Sequence, residues 1–90
     1  MMLFAVTALQ AQTVISGVVL DKQKGRPLSH VSVVTEGKDI HTVTNDEGRF
    51  TLKTDHSPRY IEVSHIGYKT RRVPVTGTMT EPLRILMEIG

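Results

Sequence analysis

From Thr13 onward, apolar and polar residues alternate with a period of two, and Val, Ile and Thr dominate. Turn-forming residues punctuate the pattern at intervals of roughly 8–12, the spacing of a sandwich or barrel. No stretch repeats apolar residues at the i, i+3, i+4, i+7 positions of a helical face. The pattern predicts strands over about Val14–Leu20, His30–Thr35, Ile40–Thr44, Arg49–Thr54, Arg59–His65, Tyr68–Val75 and Pro82–Ile89. Seven short strands without a helix imply an all-β chain of two packed sheets, with the strands antiparallel.

The alternation also assigns faces. Ile15, Gly17 and Val19 share one face of the first strand, and Val14, Ser16, Val18 and Leu20 the other. Val31, Val33, Phe50, Leu52, Ile61, Val63, Val73 and Val75 point inward, and in the last strand Leu83, Ile85, Met87 and Ile89 share one face, with Arg84 and Glu88 on the other. Gly17 inside a strand signals a bulge or the close approach of another backbone. Pro74 cannot donate to a ladder and marks an edge or a strand end. Asn45-Asp46-Glu47-Gly48 reads as a type I turn with glycine at the left-handed position, joining the third and fourth strands.

The first residues break this pattern. Met1 to Leu9 is apolar and uncharged, and it stops at Gln10-Ala11-Gln12. It reads as the apolar core and cleavage site of a secretory signal, residues 1–11, cut after Ala11. The missing basic start fits a start codon placed too far downstream. The run is too short to span a bilayer, which needs about 20 apolar residues. Residues 12–90 then form a single domain. A domain this small buries only about 60% of the surface its unfolded chain exposes, so its stability is marginal. With no cysteine in the chain, no disulfide, thiolate metal site or lipoprotein anchor can form.

Charge and residue spacing remove most chemistry. The formal charge is only +2, and the densest basic cluster is Lys69-Thr70-Arg71-Arg72. Alternate strand residues point to opposite faces, so this cluster is no nucleic-acid stripe. Asn45, Asp46 and Glu47 are consecutive, whereas a calcium loop alternates its ligands, so a turn is the better reading. His30, His41, His56 and His65 form no close pair that would seed a metal site. Ser64 and His65 are adjacent on one strand and cannot act as nucleophile and base. There is no Gly-x-Ser-x-Gly elbow, no His-Glu-x-x-His, and no glycine-rich phosphate loop. Neither a catalytic set nor a cofactor or metal site is expected. If loops bind a partner, Asn45, Asp46 and Tyr68 are the candidate surface. Tyrosine is common at binding hot spots, but a half-buried tyrosine capping the sandwich end, its hydroxyl in water, fits its amphipathic habit better.

Four segments occur in a fixed order: Ser16-Gly17-Val18-Val19 with Asp21; Gly25-x-Pro27-Leu28 with Val31 and Val33; Thr44-Asn45 with Gly48-x-Phe50-x-Leu52; and Val63-Ser64-x-Ile66-Gly67-Tyr68. From Ile15 to Ile85 this order resembles the carboxypeptidase regulatory-like domain, a small β-sandwich of Bacteroidetes-type envelope proteins. His30 departs from it, standing where a small residue often lies. The resemblance implies a seven-stranded antiparallel Greek-key sandwich, transthyretin- or prealbumin-like, with no catalytic residues of its own. Such domains often follow the signal peptide at the N-terminus of TonB-dependent outer-membrane transporters or other large exported proteins. The resemblance therefore implies a non-catalytic accessory module, exported to the periplasm or outer membrane, whose partners are other domains of a larger envelope protein. On that reading the chain is a truncated frame or a fragment. The alternative is a free-standing secreted or periplasmic binder of a peptide, glycan or protein.

Overall fold

A computed structural model of the chain describes residues 13–55, 58–75 and 81–90. The secretory-signal reading of residues 1–11, and His56, lie outside them. Seven strands follow one another: β1 Thr13–Asp21, β2 Ser32–Thr35, β3 His41–Val43, β4 Arg49–Thr54, β5 Tyr60–Ser64, β6 Arg71–Pro74 and β7 Leu83–Met87. They form two sheets, one of three strands in the order β4-β1-β7 and one of four in the order β3-β2-β5-β6. The all-β sandwich expected from the alternation is the fold observed.

One pairing differs from expectation. β1 pairs with β4 antiparallel but with β7 in parallel, Val18 opposite Arg84 and Leu20 opposite Leu86. Parallel neighbours need a long crossover between them. Here the crossover is most of the domain, because the chain passes through the four-stranded sheet before β7 returns beside β1.

The inward residues of both sheets make one core: Ile15, Val19, Val31, Val33, Phe50, Leu52, Ile61, Val63, Val73, Val75, Ile85 and Met87 are all buried. Leu28, Ile40, Tyr68 and Leu83 pack against its margin. Ile89 does not join it. It lies beyond the end of β7 and is 59% exposed, contrary to its place in the alternation. Pro74 sits on β6, the edge of the four-stranded sheet, where its missing N–H costs no ladder bond.

Gly17 shows the close approach, not a bulge. A Cβ there would lie 2.7 Å from the Leu83 carbonyl oxygen and 3.0 Å from Phe50 Cζ. Two strand boundaries also move. β2 begins at Ser32 because His30 has φ 59°, a left-handed conformation that no strand residue adopts. β6 begins at Arg71 because the residues before it leave their sheet for β7: Tyr68 bridges Ile89, and the Lys69 N–H donates to Glu88 O.

Candidate interaction surface

Asp21 closes β1 and is buried. The turn that follows folds back onto it. Its Oδ1 accepts the Gln23 N–H at 2.8 Å and the Lys24 N–H at 2.9 Å, and its backbone oxygen accepts the Gly25 N–H. Its other oxygen, Oδ2, accepts the hydroxyl proton of Tyr68 at 2.6 Å. Hydrogen bonds to an ionised carboxylate favour the ionised form. The Tyr68 bond foremost, then the Lys24 amide, hold the Asp21 carboxyl below its ordinary value, although desolvation opposes them. The same bond, joined by desolvation, pushes the Tyr68 phenol up.

Tyr68 is half-buried at the end of the sandwich, as its amphipathic character suggests, but its hydroxyl is held by Asp21 and not left in water. It follows the tight corner His65-Ile66-Gly67, closed by the Tyr68 N–H donating to His65 O, with Gly67 at φ 85°. The His65 ring meets the Tyr68 ring edge-on at 5.5 Å between centroids. Around this end stand two exposed apolar side chains, Ile66 and Ile89. An open cleft of about 420 Å³, lined by Asp21, Lys22, Gln23, Met87, Glu88 and Ile89, lies beside it. Glu88 on its rim is clasped by Lys22 at 2.8 Å and Lys69 at 3.7 Å, and these cations lower its carboxyl pKa.

The Asn45 turn is a separate feature. Asn45 Oδ1 accepts the Glu47 and Arg49 N–H groups, while the Asn45 N–H donates to Arg49 O and its carbonyl accepts from Gly48. Gly48 has φ 75°, and a Cβ on it would lie 2.6 Å from Val19 O, so the expected left-handed glycine is in place. The side-chain oxygen of Asn45 is thus committed to the turn, and Asp46 is exposed beside it. No hydrogen bond joins this turn to Tyr68 among the described residues.

The alternation gave no hint of Thr44. It is buried, its Oγ1 donates to Leu28 O at 2.6 Å, and the same atom accepts the Val31 N–H at 2.9 Å. Its backbone also pairs with His30 and Val31. A threonine directly before an Asn-Asp-Glu-Gly turn was the available signal.

The remaining chemical candidates have local partners. His41 Nε2 lies 3.1 Å from Ser32 Oγ, and His65 Nδ1 donates to Ile66 O at 3.0 Å, not to Ser64. No group of three potential metal ligands occurs among the described residues. In the basic cluster, Arg71 Nη1 donates to Leu86 O, while Arg72 pairs with Glu62 at 3.5 Å and lies over the Tyr60 ring. No helix among the described residues is long and apolar enough to cross a membrane.

A family profile described as "CarboxypepD_reg-like domain" matches residues 15–89. The chain is 29% identical over 86 residues to TonB-dependent receptor P39 of Formosa agariphila, across 96% of its own length. It is 32% identical over 85 residues to TonB-dependent receptor SusC of Bacteroides thetaiotaomicron, across 94% of its length. It spans only 8% of each of these receptors. Among solved structures it is similar to a chain of a type II cohesin-X-dockerin complex from Acetivibrio cellulolyticus, an N-terminal interface mutant. The TM-score is 0.66 and the identity 21%, covering 87% of this chain and 58% of that one. A C-terminal interface mutant of the same complex matches with a TM-score of 0.64 at 19% identity, over 83% of this chain and 56% of the other. At such identities the likeness is one of fold.

Proposed function

Because the chain belongs to the CarboxypepD_reg-like domain family, we propose that it is a non-catalytic accessory module of a larger, exported envelope protein, the N-terminal domain of a TonB-dependent outer-membrane receptor. The observation that carries this reading is the pair of receptor relatives, each matched along almost the whole of this chain and over a small fraction of its own length. The site supports it. The Asp21–Tyr68 pair and the Asn45 turn use their polar groups to hold the fold, which suits a compact docking unit. Its partners are then the neighbouring domains of the parent protein or a protein that meets it in the periplasm.

An antibody raised against this domain, applied to fractionated envelope extracts of the source cells, tests the reading. The expected result is a band far larger than 10 kDa in the outer-membrane fraction. A band near 10 kDa in the periplasm would overturn it and make the chain a free-standing binder.

A further inference from the structure

The outer face of the three-stranded sheet has a charge pattern that the other sheet lacks. Its register places Val18 between Arg49 on β4 and Arg84 on β7, and sets Val14 beside Lys53. Val14, Ser16, Val18 and Leu20 form a partly buried column down the middle strand, apolar except at Ser16. Neighbouring strands are about 4.8 Å apart, so the Arg49 and Arg84 backbones straddle Val18 at roughly 10 Å. Lys53 lies four residues beyond Arg49, about 13 Å along the same strand.

These three cations have no carboxylate within ion-pair distance among the described residues. No acidic residue occupies an outward position of β1, β4 or β7. On the four-stranded sheet Arg72 is neutralised by Glu62, and Arg59 beside it by Glu36, which also accepts the Arg59 backbone N–H at 2.8 Å, while Arg71 donates to the Leu86 carbonyl. Uncompensated charge around an apolar stripe favours a partner of opposite sign and similar patterning.

We infer that this face docks an extended, acidic segment of a partner polypeptide. On a strand laid over the face, side chains at every second position point down, and those four apart are separated by about 13 Å. Carboxylates at every fourth position therefore meet Arg49 and Lys53, and the residue midway between them lies over Thr51 and its neighbour Ser16. Arg84 takes a further carboxylate from the other side. A lipid surface is the poorer complement. The column is partly buried, and the outward positions of these strands hold no aromatic side chain to enter an interface. The inference goes beyond the receptor reading and stands or falls without it.

The test uses the 90-residue chain and a synthetic peptide with glutamate at every fourth position and threonine midway between. A lysine counterpart and phosphatidylglycerol vesicles serve as competing probes. Binding is followed by fluorescence anisotropy and amide chemical shifts. The glutamate peptide should bind, weaken as salt rises, and shift amides of β1, β4 and β7. The double variant Arg49→Gln/Arg84→Gln should lose affinity on the order of tenfold, as for the loss of two interfacial charges. Arg72→Gln, on the other sheet, should bind like the parent. Lys53→Gln alone, at an exposed position, gives a second reading should the double variant fold poorly. Absence of binding, equal binding of the lysine peptide, or shifts confined to the four-stranded sheet would overturn the inference. So would binding of the vesicles without the glutamate peptide, which would assign the face to lipid.

Discussion

The Tyr68 hydroxyl donates to Asp21 Oδ2 at 2.6 Å, joining residues 47 positions apart. This bond ties the end of β1, in one sheet, to the corner that follows β5 in the other. It is also the feature most exposed to pH. Asp21 is held below its ordinary 3.8, so its contribution is complete above that value and is lost as pH falls through the folded value. Glu36, held down chiefly by Arg59, and Glu88, held down chiefly by Lys22, add to the same acid limb below 4.5. Tyr68 is raised above 10.0, so its share is present below that value and is lost as pH climbs through the folded one. Thermal melts should therefore show loss of stability on both the acid and the alkaline side. In Tyr68→Phe the alkaline limb should shrink and the acid limb shallow. A variant with the parental pH profile would show that the bond carries no linkage.

Gly17→Ala should destabilise the domain by about 1–3 kcal/mol, the usual cost of overpacking. The new Cβ meets the Leu83 carbonyl, and Leu83 is fixed by its pairing with Gly17 itself. Denaturant unfolding measures this, and a change under about 0.5 kcal/mol would mean that β7 shifts freely.

Thr44→Val keeps the shape of the side chain and removes the oxygen that serves both Leu28 and Val31. Each buried group left unpaired costs roughly 1–3 kcal/mol. Thr44→Ser keeps that oxygen and should retain most of the stability. Equal losses in the two variants would place the role of Thr44 in its methyl group.

His30→Gly should stabilise the fold by up to about 1 kcal/mol, because an L-residue pays roughly 1–2 kcal/mol in the left-handed region, partly offset by glycine's freedom when unfolded. His30 is exposed and its φ is 59°. A lower melting temperature would mean that the imidazole makes a compensating contact.

The strands and the core were legible because a half-buried strand writes its burial directly into a two-residue period. β4 has the predicted limits Arg49–Thr54, with Phe50 and Leu52 buried as expected. Periodicity says nothing about which strand lies beside which, so the parallel β1–β7 pair was not readable. The site was legible in part. Tyr68 stood out as an aromatic after a glycine corner, and Asn45 as the start of a glycine turn. Asp21, before a polar stretch, looked like any loop carboxylate, since its partner is remote in sequence and the bond exists only once both sheets have assembled. His30 shows the converse. The expected small residue there reflects a left-handed backbone, which alternation alone had placed inside a strand.

The place of β1 between β4 and β7 also sets an order of assembly. A chain that emerges vectorially presents its first strand early, yet that strand can acquire only one neighbour until Leu83–Met87 has followed. In the interval one edge of β1 stands open, its amides unpaired, and such an edge invites pairing with another chain. Because closure waits for a distant segment, folding should be slow for so short a domain. Thus β7, last to arrive, acts as the latch that ends the interval of aggregation risk.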